Sequence, residues 1–332
     1  MAGVQAGTTA LLSEYFAARA FPSAQDTDMR AIAKIPSLPS TASKLHTASS
    51  NDIGVGTNYD ADTATTGTLS NSIHSSVEIP VTWYESKKIT SPWNRENFAS
   101  YNSLAADVME VAKRTKSDYI KYVLQNICPV SADVNNQPNR YQPSENALVK
   151  KAGGTLVTPK GSDEAKQVNY SDIVETSREL MDEVKFSNTS PGQFVIVVPS
   201  TTWQILSSDA NFTRYDSWGA NGWRDGFMGN LNGVQVVVSH NLPWAAKTSP
   251  SGTDTYEIGR SAGTDPGPKS TTRQIAIMYY APYCAKTSFN PMLKIDTRDI
   301  LRSGTDLMGC GGMGAGIAHG TINPVRLLVL DD

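Results

Sequence analysis

The sequence predicts an α+β protein, and three observations lead to that class. Two segments carry apolar residues at helical spacing, and the longer of them runs for roughly two dozen residues. Several short apolar runs, such as FVIVV, are typical of buried strands. These segments do not follow the regular strand–helix alternation of a doubly wound sheet. The class is therefore α+β rather than α/β.

Composition excludes several classes of function. The chain has 332 residues, of which 39% are hydrophobic, and no apolar stretch approaches the roughly 20 residues that span a bilayer. The N-terminus has no cation before Arg19 and carries Glu14 in its apolar part, so we expect no secretory signal. A net charge of -3 argues against tight nucleic-acid binding, which rests on many lysine and arginine contacts to phosphate.

The cysteines indicate the redox environment. There are three of them, an odd number without pairwise spacing, which indicates free thiols in a reducing compartment. We expect Cys128, Cys284 and Cys310 to be small buried hydrophobic residues.

The first thirty residues are predicted to form an arm with a short helix around Leu11 to Ala20. The next segment, Ala31 to Leu45, is expected to be extended, and Pro36 and Pro39 exclude a strand in the middle of a sheet. A polar stretch follows at 48–76, and a loop of this length in a compact domain usually has a function of its own or is disordered.

A strand with clear alternation follows the polar stretch. Val77, Ile79, Val81 and Trp83 share one face, and Pro80 places the strand at a sheet edge. Residues 31–90 are therefore predicted to form a long projecting hairpin with a polar tip.

Two amphipathic helices are predicted. The first runs from about Leu104 to Ile127, with Ser103 as N-cap and Cys128-Pro129 as the end signal. The second runs from about Asp172 to Val184, with Ser171 as its cap. The expected buried positions of the first helix are Leu104, Val108, Val111, Ala112, Tyr119, Ile120, Val123, Leu124 and Ile127. Those of the second are Ile173, Ser177, Leu180, Met181 and Val184.

Four apolar runs are predicted to be strands. FVIVV at 194–198 is typical of a sheet centre and precedes a short helix from about Thr201 to Leu206. Further strands are expected at 234–238, 274–280 and 325–330.

The segment GCGGMG has the glycine spacing of a dinucleotide-binding loop, with Gly309, Gly311 and Gly314 in place. Such a site needs a strand before the loop, a helix after it and an acidic residue at the end of the next strand. Further glycines up to Gly320 disfavour a helix. We therefore expect a flexible turn over 309–320, whose glycines permit positive φ or close backbone approach.

The segment GRSAG has the spacing of a hydrolase nucleophile elbow around Ser261. Asp296 or Asp299 and then His319 follow in the Ser, Asp, His order of α/β-hydrolases. An elbow leads directly into a helix, whereas the next residues include Pro266, Gly267 and Pro268, which predict a surface loop.

The histidines give no metal-binding pattern. His46, His74, His240 and His319 lie far apart in the sequence, and none is next to another histidine or a cysteine pair at ligand spacing. His240 is expected to end a strand. We therefore assign no catalytic, cofactor-binding or metal-binding residue.

Residues 192–243 combine a buried strand ending in Pro, a helix that starts near an aromatic residue, and a Gly-x-x-x-Gly-Val-x-Val-x-x-Ser…Leu-Pro run. That run is formed by Gly229, Gly233, Val234, Val236, Ser239, Leu242 and Pro243. With these features the segment resembles the apical domain of tailed-phage major capsid proteins. The order of segments along the chain is also similar to that of the Hong Kong 97-type capsid fold.

The resemblance implies a division of the chain into five parts. They are an N-terminal arm (1–30), an extended hairpin loop (31–90), a peripheral domain with a spine helix (91–165), an apical domain (166–272) and a return through the peripheral domain (273–332). In this interpretation the arm and hairpin do not bury their apolar face in their own subunit but lie over a neighbouring copy.

The function implied by the resemblance is structural. It is that of a major capsid subunit, not an enzyme, which self-assembles as pentamers and hexamers into an icosahedral shell around double-stranded DNA. The implied location is the virion, with assembly in the host cytoplasm. The expected partners are other copies of the chain, a separate scaffold, a portal and decoration proteins, with no cofactor, no membrane and no sequence-specific DNA binding.

Two alternatives stay open at this point. An encapsulin-like nanocompartment shell resembles the same fold but encloses protein cargo. A serine hydrolase that uses Ser261 is the alternative from another class.

Overall fold

A computed structural model provides the fold. It describes residues 27–39, 44–50, 74–90, 103–128, 140–141, 149–151, 156–157, 165–166, 168–184, 193–208, 227–231, 233–247, 256–258, 272–289, 292–296, 305–319 and 322–329. The helix predicted around Leu11 to Ala20 lies outside these residues, as does most of the polar stretch.

The described residues form three α-helices, two short 3-10 helices and twenty strands. The α-helices are α1 (Ser103–Ile127), α2 (Tyr170–Val184) and α3 (Ser200–Ser208), and the 3-10 helices are Thr27–Ile32 and Ala281–Tyr283. The first ten strands are β1 (Ser37–Leu38), β2 (Lys44–Ser50), β3 (His74–Pro80), β4 (Thr82–Thr90), β5 (Arg140–Tyr141), β6 (Val149–Lys151), β7 (Leu156–Val157), β8 (Ala165–Lys166), β9 (Phe194–Val198) and β10 (Phe227–Leu231). The others are β11 (Val234–Val238), β12 (Trp244–Lys247), β13 (Tyr256–Ile258), β14 (Thr272–Gln274), β15 (Ala276–Tyr280), β16 (Cys284–Thr287), β17 (Met292–Asp296), β18 (Thr305–Met313), β19 (Ala315–Ile317) and β20 (Val325–Val329). The mixture of helices and sheets confirms the α+β class.

A six-stranded sheet carries the main core, with the strand order β10-β11-β9-β15-β20-β6. Strand β9 lies inside this sheet, parallel to β11 and antiparallel to β15. All five of its residues are buried, because both faces of the sheet are covered. This confirms the prediction for FVIVV. The strands expected near 234–238, 274–280 and 325–330 are present as β11, β15 and β20; β11 and β15 pair with β9, and β20 pairs with β15.

The two faces of this sheet carry separate apolar clusters, as the two-residue period of a strand requires. Val195 and Val197 of β9 pack with the second half of α1. Phe194, Ile196 and Val198 point to the other face and pack with buried residues of α2 and α3. The sheet is therefore a middle layer between helices.

Helix α1 confirms its prediction closely. It starts at Ser103 and ends at Ile127, and Cys128 is buried directly after it. Of the predicted inner positions with described side chains, all are buried: Val108, Val111, Ala112, Tyr119, Ile120, Val123, Leu124 and Ile127. At 1.5 Å per residue the helix is about 37 Å long.

Helix α2 begins two residues earlier than predicted, and its cap is different. The Asn169 side chain accepts the Asp172 backbone N–H at 2.9 Å, and the Asp172 carboxylate accepts the Asn169 N–H at 2.9 Å. This reciprocal pair is a capping box, which satisfies two backbone donors at the start of the helix. The prediction of Ser171 as cap was therefore wrong; its hydroxyl instead donates to the Asn169 side chain at 2.7 Å.

The segment from Ala31 to Leu45 is predicted to be extended, and the structure differs from that prediction. Residues Thr27–Ile32 form a 3-10 helix, and strands follow at β1, which lies at the edge of the β1-β16-β19 sheet, and from Lys44, where β2 begins. Ala31, Ile32 and Ile35 are buried in the core of their own subunit. The expectation that this region buries its apolar residues only against a neighbour was wrong for these positions, because they pack against α1 and the central sheet.

The hairpin predicted for residues 31–90 is present only in part, because residues 82–90 form β4, which pairs with β18 instead. Strands β2 and β3 pair antiparallel from Lys44 with Pro80 to Ser50 with His74, and they form a two-stranded ribbon. Pro80 therefore lies on an edge strand, as predicted. In the described part of the chain, no helix is both long and apolar enough to cross a membrane.

Candidate assembly surface

The surface of interest belongs to a three-stranded antiparallel sheet with the order β17-β18-β4. Its register places Trp83 opposite Gly312 and Met292 opposite Cys310. Directly opposite residues of antiparallel strands lie on the same face, and neighbours along a strand lie on opposite faces. The register therefore assigns each position to the face that covers α1 or to the outer face.

Gly309 identifies the inner face. A Cβ atom on this glycine would lie 2.3 Å from Oγ1 of Thr115 and 3.1 Å from Cγ1 of Val111, both on α1. Thr82 also faces the helix, since its hydroxyl oxygen lies 3.1 Å from the hydroxyl oxygen of Tyr122. The helix and the sheet therefore approach closely along a line where β18 carries no side chain.

The glycine segment is consequently a strand and not the predicted turn. Gly309, Gly311 and Gly312 lie in β18, and Gly314 separates it from β19. A Cβ on Gly314 would lie 3.1 Å from the Pro80 carbonyl oxygen. Of the two reasons foreseen for the glycines, close backbone approach is the one that applies. No helix follows the segment, so the strand–loop–helix arrangement of a dinucleotide site is absent from the described residues 305–319.

The outer face carries two exposed apolar side chains. Trp83 on β4 is 56% exposed and Met292 on β17 is 54% exposed. Sequence alternation placed Trp83 on one face with Ile79, which is buried. That prediction was wrong because the chain leaves the β3 strand at Val81, and Trp83 belongs to the next strand. We call the part of this outer face around Trp83 and Met292 the apolar face; the same register also places Glu85, Lys87 and Lys294 on the outer side of the sheet.

The exposed indole carries a sizeable free-energy cost in water. A tryptophan buries about 150–250 Å² when it is covered, so the uncovered part of Trp83 represents roughly 100 Å². At about 25 cal/mol per Å², covering it would contribute about 2.5 kcal/mol. Gly312, directly opposite, has no side chain that could cover the ring.

The β2–β3 ribbon lies next to this sheet along the chain. A two-stranded ribbon is marginally stable by itself in water. Its described anchor is Ile79, which is buried and packs with Ala285 of β16. Ile79 also lies against Gly316 of β19, where an added Cβ atom would be 3.5 Å from Cγ1 of Ile79. The ribbon is thus fixed at its base by β16 and β19.

The residues of the hydrolase alternative are only partly described. Ser261 and Asp299 lie outside the described residues, and Asp296 is the last residue of β17. Nδ1 of His319 accepts the Ile322 backbone N–H at 3.1 Å, and the ring packs on Tyr283 with a centroid distance of 4.5 Å. Burial lowers the pKa of His319. A triad histidine donates its Nδ1 proton to a carboxylate, so His319 does not have that arrangement.

The remaining predicted positions fall as follows. His240 is exposed and lies two residues after β11, close to the predicted strand end. His46 and His74 lie on β2 and β3. Cys128 and Cys284 are buried free thiols, as predicted, and burial raises the pKa of Cys284. Among the described residues, no three His, Cys, Asp or Glu side chains are grouped as a metal would require.

Sequence reasoning missed Met292 and Lys286. Met292 follows Asn290-Pro291, and nothing in its sequence neighbourhood marked it as exposed. Lys286 is a buried lysine in β16. A signal for it was available, because a lone cation in an otherwise apolar and neutral run is uncommon in a strand interior.

Comparison with known proteins identifies the fold. No family model matches the chain, and no curated protein matches its sequence. Solved structures do match. The capsid of cyanophage P-SCSP1u matches with a TM-score of 0.52 and 14% identity, over 89% of this chain and 85% of that one. The capsid of Myoviridae phage XM1 matches with 0.51 and 13%, over 89% of each chain.

A structure from Microbacterium phage Oxtober96 matches with a TM-score of 0.53 and 11% identity, over 90% of each chain. These likenesses span nearly the whole chain. The chain therefore has the fold of tailed-phage major capsid proteins.

Proposed function

We propose that the chain is the major capsid subunit of a tailed bacteriophage, which self-assembles into an icosahedral shell around double-stranded DNA. The observation that carries the proposal is the capsid fold, found over about nine tenths of the chain. The net charge of -3 fits a protein that encloses DNA without sequence-specific binding.

The Hong Kong 97-type division of the chain is part of the proposal. Residues 1–30 form the arm, 31–90 the extended loop, 91–165 the peripheral domain, 166–272 the apical domain and 273–332 the return. Helix α1 is the spine helix in this scheme, and its length and its contact with the three-stranded sheet support that role. The β2–β3 ribbon supports the assignment of an extended loop.

The apolar face is the surface that we assign to contact with an adjacent copy of the chain. Trp83 and Met292 are large apolar side chains, and the described part of their own subunit leaves more than half of each exposed. A shell supplies a neighbour at the same position of every copy, since closed symmetric assemblies repeat one contact many times. The copies form pentamers and hexamers, and scaffold, portal and decoration proteins complete the virion, after assembly in the host cytoplasm.

Two alternative functions differ from a phage head, one in what the shell encloses and the other in requiring a catalytic serine. An encapsulin-like shell uses the same fold but holds protein cargo. A serine hydrolase requires Ser261 to be activated by a histidine, and the Nδ1 of His319 already accepts a backbone N–H. That hydrogen bond disfavours the hydrolase, and we retain the shell.

Negative-stain electron microscopy of the expressed protein tests the proposal. We expect angular particles of uniform size, formed either by the chain alone or with the scaffold co-expressed. Nuclease-protected DNA inside particles from infected cells would support the phage head, whereas co-purified protein cargo would support the encapsulin-like shell. A monodisperse monomer under every salt and scaffold condition would contradict both.

A further inference from the structure

The segment 29–38, which we call the strap, crosses the core of its own subunit before the hairpin begins. The Tyr279 hydroxyl donates to the Ala31 carbonyl oxygen. The Lys286 backbone N–H donates to the Pro36 carbonyl oxygen at 3.0 Å, and that of Ser288 to the Leu38 carbonyl oxygen at 2.8 Å. Strand β1, at the end of the strap, pairs parallel with β16 at a sheet edge. The strap is thus bound by side chains and backbone of the core.

Lys286 differs from the other groups that hold the strap because it can carry a charge. Its side chain is 7% exposed, and its amine donates to the Ile32 carbonyl oxygen. Burial lowers its pKa from 10.5 to about 8. A buried ammonium is costly unless a carboxylate pairs with it. The structure describes a neutral carbonyl partner for this amine and no ion pair.

Carboxylates on the elements around this amine are Asp28 at the start of the strap's 3-10 helix and Asp107, Glu110 and Asp118 of α1, of which Asp118 pairs with Arg114 at 3.9 Å. Further titratable side chains of those elements include Arg30 and Lys34 of the strap, Tyr279 and Tyr280 of β15, Cys284 of β16, and Lys116, Tyr119, Lys121 and Tyr122 of α1. Burial raises the pKa values of Tyr279, Cys284 and Tyr119, so each is neutral when buried near pH 8. The short β19, which pairs with β16 on its other side, contributes no titratable group.

We propose that the strap is a latch whose hold on the core is set by the charge of the Lys286 amine. The neutral amine keeps its hydrogen bond to the Ile32 carbonyl oxygen without the cost of a buried charge, so the docked strap becomes more stable. The ammonium, which is better solvated in water, favours release of the strap. Because residue 38 is followed closely by β2, release would free the β2 side of the ribbon, whereas β3 stays anchored through Ile79.

The sign of the pH effect follows from proton binding. Lys286 binds its proton less tightly when the strap is docked than when it is released into water. Raising the pH through the interval from about 8 to about 10.5 therefore stabilises the docked strap, and the stabilisation is lost as the pH falls back through it. Between about pH 7 and about pH 8.5, these pKa values give a docking equilibrium that strengthens about fourfold.

Hydrogen exchange of the unassembled subunit, followed by mass spectrometry, tests this proposal without any shell. Exchange rates corrected for the intrinsic pH dependence give the opening equilibrium of strap amides at both pH values. The amides of β9, in the central sheet, serve as the internal reference for global unfolding. We expect strap amides to open more often than β9 amides and to become about fourfold more protected at the higher pH.

Two variants separate the charge from the packing. Lys286→Met keeps the apolar stem without a charge, so its strap should be well protected at both pH values. Lys286→Arg keeps the charge throughout, so its strap should open readily at both. Strap amides that exchange together with those of β9 in the wild type would overturn the latch. An unchanged pH dependence in both variants would overturn the role of Lys286. Either result leaves the capsid proposal intact, because the measurement uses the isolated subunit.

Discussion

Gly309 lies where β18 passes closest to helix α1, and its role is defined by the space that a side chain would need. A Cβ atom there would meet Oγ1 of Thr115 at 2.3 Å, and that hydroxyl donates to the Val111 carbonyl oxygen at 2.8 Å. Neither the strand nor the helix can move independently, because both are held by neighbouring elements. The glycine therefore determines how closely the helix and the sheet approach.

We predict that Gly309→Ala lowers the free energy of unfolding by about 1–3 kcal/mol through overpacking. Gly316→Ala is the matched control, since its Cβ would meet only Ile79 at 3.5 Å or more, an ordinary contact. Urea unfolding of the monomeric subunit measures both. Adding Thr115→Ala to Gly309→Ala should recover part of the loss, because it removes the clashing oxygen. Equal effects of the two glycine substitutions would contradict this explanation.

Sequence alone did not distinguish these glycines from turn glycines. A glycine in the pattern GCGGMG is compatible with positive φ, with a phosphate-binding loop and with close packing. Only the position of α1, which is more than 180 residues away along the chain, selects close packing. Lys286 illustrates the same point, because its buried partner Ile32 lies 254 residues away in the sequence.

At the scale of elements, α2 shows how local chemistry fixes a boundary. Its first turn is held by the capping box of Asn169 and Asp172. The end of the helix near residue 183 is linked to the central sheet, because the Arg326 guanidinium on β20 donates to the Glu183 carboxylate. The helix is therefore fixed at both ends over the apolar cluster that it covers.

We predict that Asn169→Ala lowers the free energy of unfolding by about 1 kcal/mol, the typical cost of losing an N-cap. Ser171→Ala should change it by much less, because that hydroxyl bonds only to the Asn169 side chain at an exposed position. Thermal or urea unfolding of the two variants measures the difference. A larger loss in Ser171→Ala than in Asn169→Ala would show that the cap has been misassigned.

Elements with strong local periodicity were the ones that sequence predicted well. Helix α1 and strand β9 have regular apolar patterns, and their bounds agree with the structure to within a residue. Strands β17, β18 and β19 were not foreseen individually, because β17 is a short charged run and the glycines of β18 and β19 leave little apolar alternation to detect. The pairing of β18 with β17 and β4, and of β19 with β16, is decided by contacts between separate parts of the chain.

At the scale of the whole molecule, two features suit a subunit that completes itself in an assembly. The apolar face leaves Trp83 and Met292 exposed, and the ribbon of β2 and β3 has only two strands. In contrast, Ala31, Ile32 and Ile35 of the strap are buried in their own subunit. The resemblance in residues 192–243 predicted the capsid fold from the sequence. The apolar face could be located only from the strand register and from the exposure of its side chains.

Photo-crosslinking from position 83 tests most directly whether the apolar face meets another copy of the chain. A benzophenone amino acid replaces Trp83, and subunits of natural isotope content are mixed with nitrogen-15 subunits before assembly. The account predicts crosslinked peptides that join a light chain to a heavy chain in assembled particles, and none in the unassembled mixture. Assembled particles in which every crosslink from position 83 stays within one chain would contradict the account.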